Sequence, residues 1–590
     1  MFQSFDSTAS PDQGPPRLAA LRAAMRDAGV DGFVVPRADA HQGEYVAPRD
    51  ERLAWLTGFT GSAGWAVALA DRAAVFVDGR YTVQAQAQVD AVFDKVAWPE
   101  TGVPDWIAAA QKGGKIAFDP WLLTVDQHRA FAKSLGDSAL VATENLVDRV
   151  WDDQPSAPVG RVSAQPVSLA GKPHADKIAD LAAAIAPAGA AILTLPDSIA
   201  WLLNIRGTDI AHNPVPHGFA ILNADATVDL FIDARKLTEL GDHLGPKVTV
   251  HSPDAFLGAV AQLTGVVRID PAACPVAVRN AITAKIVEAP DPCALPKACK
   301  TEAELDGART AHRRDGAAVV RFFAKLATKD PATLTEIDIA SDLEAERRAT
   351  NALADISFDT IAGSGPNGAI VHYRVTHDTN RPLAANELLL IDSGGQYRDG
   401  TTDITRTLAM GDPGTEEADA FTRVLKGMIA ISRLRFPKGL AGRDIDAFAR
   451  AALWEVGLDY GHGTGHGVGA YLSVHEGPQR LARTGTVPLE PGMILSNEPG
   501  FYKEGAFGIR IENLIVVRAA DPLPGQTVPE MLEFETLTLA PIDTALIRRD
   551  LLTQSERDWL NSYHARVLKE IGPALDPSAL TWLENACAPI

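Results

Sequence analysis

The sequence predicts an α/β (α+β) protein made of three consecutive blocks: two related α/β blocks and a larger C-terminal block. Three observations predict this. Short apolar runs of strand length alternate with helix-period segments from the start of the chain. The order of those runs repeats once. The acidic and histidine residues with unusual spacing fall almost entirely after residue 299.

A chain of 590 residues holds several domains at about 100–200 residues each. Hydrophobic residues make up 46% and charged residues 22%, so a large core can be buried and disorder is excluded as the main state. Lys and Arg number 55 against 75 Asp and Glu, a net charge of −20. That balance speaks against nucleic acid or an anionic membrane as partner. Cys274, Cys293, Cys299 and Cys587 include no CxxC pair, which excludes a disulfide framework and suits a reducing compartment. The start, MFQSFDSTASPDQG, has neither a basic nor a long apolar region, so no signal peptide is predicted. The apolar stretch Leu181 to Leu195 is broken by Pro187 and Gly189 and is too short to cross a bilayer. Together these features predict a cytoplasmic protein.

The first block opens with a helical run from Arg17 to Ala28, apolar at Leu18, Leu21 and Met25 and stopped by Gly29. GVDGFVVP then reads as a turn and a buried strand. RLAWLTGF, GWAVAL and AAVFVDG read as a short helix and two strands, and the block closes near Trp151. Residues 152–173 have the Pro-, Ser- and Gly-rich composition of a linker. An Ala-rich helix at His174 opens the second block. Leu53-Ala54-Trp55-Leu56 recurs as Ile199-Ala200-Trp201-Leu202, Gly64-Trp65-Ala66-Val67 as Gly218-Phe219-Ala220-Ile221, and Val75-Phe76-Val77-Asp78 as Leu230-Phe231-Ile232-Asp233. Three matches in the same order indicate two copies of one domain. Thr301 and Glu304 then form a capping box ahead of a long amphipathic helix.

In the third block, ELLLIDSGGQYRDGTTDITRTLAMG reads as a buried strand ending at Asp392, turns at Gly394-Gly395 and Asp399-Gly400, and an alternating strand. That strand puts Ile404 and Leu408 on one face and Asp403, Thr405 and Thr407 on the other. Pairing the two strands would bring Asp392 and Asp403 together, where a cation would relieve their repulsion. Taken alone, the pair reads equally well as a solvated hairpin. GHGTGHGVGAYLSVHEGP alternates glycine with His462 and His466 and adds His475 nine residues on. Such a backbone can approach a ligand closely. HEGPQ lacks the second histidine of the helical zinc-protease motif. Glu498 follows the apolar run in MILSNEPGFY. GIRIENLIVV alternates, with Arg510 and Glu512 on one face and Ile509 and Ile511 on the other. Asp392, Asp403, Glu498, Glu512 and one histidine make a donor set of oxygens with a single nitrogen. It suits manganese, cobalt or zinc, and four negative charges would balance two divalent ions. The last segment, from Arg548, reads as a helix with Trp559 and Tyr563 on one face, packed on the third block.

The series DSGGQY at 392–397, TTDITR at 401–406, GTGHGVG at 463–469, HEGP at 475–478, NEPG at 497–500 and RIEN at 510–513 resembles the pita-bread metallopeptidases. The chain is most similar to the long, three-domain Xaa-Pro aminopeptidases, and PRADAHQGEYVAPRDERLAWLTGFTGSAG extends the likeness to the N-terminal block. The resemblance implies two creatinase-like domains, 1–155 and 156–298, and a pita-bread catalytic domain, 299–590. It implies that Asp392 binds one metal, that Asp403 and Glu512 bridge two, and that His466 supplies the nitrogen ligand. Glu498 would be both a ligand and the general base. His372 would lie on the substrate side, and His475 would hold the scissile carbonyl. Tyr502 and Arg510 would stand behind the carboxylate ligands.

The implied cofactor is two divalent ions, manganese foremost, with cobalt or zinc as alternatives. The implied reaction is hydrolysis of the N-terminal Xaa-Pro bond by a metal-bridging hydroxide, on peptides with proline second, by a homodimer. A prolidase-like dipeptidase would share the metal centre but normally has one N-terminal domain. A non-catalytic peptide-binding or scaffold protein of the same fold would typically have lost ligands.

Overall fold

The computed structural model describes residues 1–412 and 414–590. They fall into two compact units: Thr8–Val167 with Lys172–Ala294, and Met1–Ser7 and Ser168–Gly171 with Leu295–Ile590.

The first unit contains two six-stranded sheets. One is built from β1 (Gly32–Pro36), β2 (Trp65–Leu69), β3 (Ala73–Val77), β4 (Asp94–Ala97), β5 (Gly114–Phe118) and β6 (Ser138–Ala142), in the order β4-β3-β2-β1-β5-β6. The other is built from β7 (Ala190–Leu193), β8 (Phe219–Asn223), β9 (Val228–Phe231), β10 (Val248–His251), β11 (Val266–Ile269) and β12 (Lys285–Glu288), in the order β10-β9-β8-β7-β11-β12. The central strand of each runs antiparallel to the strand on one side and parallel to the strand on the other. Every residue of β1, β2 and β3 is buried, as expected of strands covered on both faces. The opening helix, Gly14–Asp27, begins three residues earlier than the sequence suggests, with prolines in its first turn. Its Leu18, Leu21 and Met25 pack on Phe33 and Val35, each large side chain contributing about 1.5–3 kcal/mol by burial.

The predicted repeat is therefore a repeat of topology, and it extends beyond the three matched segments. Asp119-Pro120 and Val125 recur as Asp270-Pro271 and Val276, 151 positions on. There the copies meet reciprocally. The Val125 N–H donates to Cys274 O (3.0 Å) and the Val276 N–H to Leu123 O (2.9 Å); the Asp126 N–H donates to Pro271 O (3.0 Å) and the Ala277 N–H to Pro120 O (2.8 Å). Equivalent donors reaching equivalent acceptors is the mark of a two-fold contact. The linker reading of 152–173 needs correcting in part. Val162–Ala164 is a strand paired with Ile205–Gly207, and Val167–Ala170 is a helical turn.

The second unit begins with the predicted helix, Glu302–Leu326, capped by Thr301 and Glu304 in a complete capping box. β13 (Ile361–Ser364), β14 (Glu387–Ser393) and β15 (Ile404–Met410) form an antiparallel sheet with β14 in the centre. β16 (Arg435–Pro437), β17 (Gly465–Gly467), β18 (Glu476–Leu481), β19 (Ile494–Asn497), β22 (Asn513–Ala519) and β23 (Met531–Thr536) form a six-stranded sheet in the order β16-β23-β22-β19-β17-β18. β20 (Gly500–Lys503) and β21 (Phe507–Arg510) make a separate hairpin. Two local expectations change. Gly395 does not turn but opens a short strand, Gly395–Tyr397, paired with Gly400–Thr401 across the Asp399 turn. GIRIENLIVV is not one strand. It breaks at Ile511 and Glu512, whose N–H groups leave the ladder for Pro499 O (3.3 Å) and Thr405 O (3.1 Å).

The last long helix, Gln554–Ile571, packs on this unit as expected, with Trp559 and Tyr563 stacked at 5.3 Å. All four cysteines are free thiols. Among the described residues, no helix is long and apolar enough to cross a membrane.

Candidate metal centre

Asp392 sits at the end of the fully apolar run of β14, opposite Thr405 of β15, and Asp403 immediately precedes β15. The predicted meeting of the two aspartates follows from this register. Glu498 leaves the end of β19, His466 is the middle residue of β17, and Glu512 stands in the break between β21 and β22. The ligand atoms of Asp403, His466 and Glu512 all lie within 4.8 Å of one another. His466 Nε2 is 3.6 Å from Asp403 Oδ2 and 3.5 Å from Glu498 Oε1. Arg510 binds Asp392 Oδ2 at 2.7 Å through Nη2. The structure thus gathers Asp403, His466, Glu498 and Glu512, while Asp392, opposite Thr405, is held by Arg510, whose Nε also reaches Thr405 Oγ1 at 3.2 Å.

The surroundings prepare each donor. His466 Nδ1 is 2.9 Å from Gly467 O. A carbonyl only accepts, so Nδ1 carries the hydrogen and the Nε2 lone pair faces Asp403 and Glu498. Ser496 Oγ accepts from the His466 N–H (2.9 Å) and donates to Glu498 Oε1 (3.1 Å). Thr405 Oγ1 donates to Glu512 Oε2 at 2.8 Å. Asp392 Oδ1 is buried without a hydrogen-bond partner.

Burial, reinforced by the charges of Asp392 and Glu498, holds the Asp403 carboxyl well above the usual carboxylate range. Burial with Asp403, Glu498 and Asp392 does the same to Glu512. Burial pushes Glu498 up to about 7; Asp392 adds to the rise and Arg510 opposes it. Without a cation these acids resist ionisation together. One orphaned carboxylate oxygen, one imidazole lone pair and mutually repelling carboxylates fit divalent ions with mostly oxygen ligands.

Arg510 Nη1 also donates to the Tyr502 hydroxyl at 2.7 Å. That hydroxyl lies 2.9 Å from His462 Nε2, while His462 Nδ1 lies 2.8 Å from Gly463 O. The carbonyl fixes the hydrogen on Nδ1, so Tyr502 donates to Nε2. Asp392, Arg510, Tyr502 and His462 form one connected chain. The sequence singled out His462 among the glycines without giving it a role; its part depends on Tyr502, 40 residues away. His475 places its ring edge against His466, with centroids 4.3 Å apart and planes at 75°. His372 is half-buried on the loop after the helical turn Gly365–Ala369, which crosses β21 where Gly368 and Gly508 bring their backbones into contact. Buried Arg406 was not anticipated. It donates to Glu512 O (2.6 Å), Asn513 Oδ1 (2.8 Å), Ala540 O (2.8 Å) and the Tyr563 hydroxyl (3.0 Å), tying the Glu512 backbone to the C-terminal helix.

The family model for metallopeptidase family M24 matches residues 306–519, and that for the C-terminal region of peptidase M24 matches 530–590. Models for the creatinase/prolidase N-terminal domain match 17–150 and 153–304. Aminopeptidase P2 of Arabidopsis thaliana is 39% identical, over 97% of this chain and 88% of its own. A Laccaria bicolor protein named Probable Xaa-Pro aminopeptidase P is 41% identical, over 97% and 93%. The crystal structure of X-prolyl aminopeptidase from Caenorhabditis elegans, described as a cytosolic enzyme with a di-nuclear active site, is 34% identical. It covers 98% of this chain and 100% of its own at a TM-score of 0.93. With two creatinase-like domains, a pita-bread domain and this identity along its whole length, the chain belongs to the aminopeptidase P family of M24 metallopeptidases.

Proposed function

We propose that the protein is a metal-dependent aminopeptidase that hydrolyses the N-terminal Xaa-Pro bond of peptides. The observation that carries this reading is the cluster of four carboxylates and one imidazole lone pair, in a chain alike over its whole length to proteins named Xaa-Pro aminopeptidase. In this reading Asp392, Asp403, His466, Glu498 and Glu512 hold two divalent ions, with manganese as the native choice. Bound there, the ions would lower the pKa of a water and polarise the scissile carbonyl.

The chain's own groups do the rest. Glu498 accepts the proton of the attacking water on its carboxylate and passes it to the leaving prolyl nitrogen. His475 donates to the carbonyl oxygen as negative charge develops there. His372 orients the substrate. Arg510 fixes one oxygen of Asp392, and Tyr502 holds Arg510 in place. The leaving nitrogen belongs to a tertiary amide with no N–H, so a site shaped for the proline ring needs no hydrogen-bond acceptor there.

We further propose domain boundaries at 155/156 and 298/299, a cytoplasmic location and a homodimer. Phe448, Trp454 and Val456, 49%, 43% and 46% exposed at and just after helix Gly442–Trp454, support a self-association face. The prolidase alternative is disfavoured by two N-terminal creatinase/prolidase matches and by the names of the full-length relatives. Comparing Arg-Pro-Pro with Ala-Pro as substrates, with and without added manganese, tests the choice. Preference for the tripeptide is expected; preference for the dipeptide would overturn it.

A further inference from the structure

His475 is followed directly by Glu476, whose side chain is completely buried. Two buried lysines meet it. Lys297 Nζ lies 2.9 Å from Oε1 and Lys300 Nζ 2.5 Å from Oε2, with the two side chains 3% and 1% exposed. Lys300 Nζ also donates to Lys297 O at 2.8 Å. The segment bearing both lysines is itself fastened: Cys299 bridges Met493, and the Lys300 N–H donates to Gly492 O at 3.1 Å. On its other side Glu476 pairs with Gly467, the residue after His466. Its Oε1 faces Gly469, where even a Cβ atom would come within 3.1 Å.

Stability does not account for this arrangement. Removing three charges from water costs several kcal/mol per ion, and well-packed apolar side chains of similar volume often fill such a place at equal or better stability. What the ion triad provides is a fixed position. Lys300 holds one carboxylate oxygen by a hydrogen bond and Lys297 attracts the other by charge alone, and the carboxylate belongs to the residue bonded to His475. The imidazole whose placement against His466 is thereby defined is the one proposed to hold the scissile carbonyl.

We infer that Lys297, Glu476 and Lys300 form a positioning triad that sets the His475 imidazole for catalysis. The inference rests on the proposed role of His475 and adds to it residues that touch neither metal nor substrate. The three act on transition-state contact, not on metal loading or on the bound substrate.

The test uses the full-length, manganese-loaded enzyme with Arg-Pro-Pro as substrate. The variants are Glu476→Asp, the combination Lys297→Met/Glu476→Leu/Lys300→Met, and His475→Gln, with the first two also placed on the His475→Gln background. The triple variant removes all charge and keeps bulk, so it leaves no lysine unpaired. Its expected kcat is about 10–100-fold lower, the scale of a misplaced catalytic group, with KM, manganese content and melting temperature preserved. Glu476→Asp keeps the charge but draws the carboxylate back by one methylene, and its expected loss is smaller. On the His475→Gln background neither change should lower kcat further. Multiplying effects on that background, or a triple variant with wild-type kcat, would overturn the inference. If the triple variant fails to fold, the Glu476→Asp pair carries the same comparison. A fully active His475→Gln enzyme would instead overturn the role given to His475.

Discussion

Arg510 Nη2 lies 2.7 Å from Asp392 Oδ2, while Asp392 Oδ1 is buried without a hydrogen-bond partner. The guanidinium neutralises one oxygen of the carboxylate and leaves the other to be presented. The same group reaches Tyr502 through Nη1, a planar fork that lysine cannot copy. Arg510→Lys should therefore weaken metal binding and activity by about 10–100-fold, the usual cost of losing a partner behind a metal ligand. Isothermal titration with manganese and the rate on Arg-Pro-Pro check this; an unchanged affinity would contradict it.

Tyr563 is the junction between the C-terminal helix and the strands behind Glu512. Its hydroxyl accepts from Arg406 at 3.0 Å and donates to Ala540 O at 2.9 Å. Tyr563→Phe leaves one N–H of buried Arg406 without this acceptor, at a cost of about 1–3 kcal/mol. The melting transition of this unit should fall, with KM unchanged in the protein that remains folded.

His564 gives the same unit a pH-dependent stability. Its Nε2 accepts the Ile542 N–H at 3.1 Å, and burial, with Arg406 nearby, lowers its pKa to about 4 from an ordinary 6.5. The folded state thus binds fewer protons than the unfolded one across that interval. The contribution is complete above pH 6.5 and is lost as pH falls from 6.5 toward 4. It reaches about 3 kcal/mol at full loss. His564→Gln keeps an acceptor for Ile542 and cannot titrate. Its melting temperature should fall less between pH 7 and pH 4.5 than that of the wild type; parallel curves would refute the assignment.

Phe448, Trp454 and Val456 are exposed apolar side chains that the proposed homodimer would cover. Trp454→Glu should convert the proposed homodimer to a monomer in sedimentation equilibrium. A wild-type protein that is already monomeric at micromolar concentration would contradict the proposal.

How much of this was legible in the sequence depended on how local each signal was. Asp392 and Glu498 could be found because each follows an apolar strand run, and Asp403 because the alternating strand it leads into pairs with the strand of Asp392. The front half of the repeat was legible through residues such as Trp65 and Phe219. Its rear half, Asp119-Pro120 against Asp270-Pro271, went unread although the same topology demands it, because few identities mark it. The run through Arg510 and Glu512 alternated like one strand. It breaks because the Glu512 N–H is claimed by Thr405 in another sheet, a partner that no local pattern announces. Arg406 and His462 were hidden for the same reason: their roles are set by Tyr563 and Tyr502, distant in sequence.

The central claim is that these residues hold two ions that hydrolysis requires. It is tested most directly by counting metal and activity together in wild type and Asp403→Ala after equilibration with manganese. Asp403 would be one of the residues holding the ions, and it lies against His466. Two ions per chain with Arg-Pro-Pro hydrolysis in the wild type, and loss of bound metal and of activity in a still-folded variant, is the result expected. A folded Asp403→Ala protein that still cleaves Arg-Pro-Pro at the wild-type rate would contradict the account.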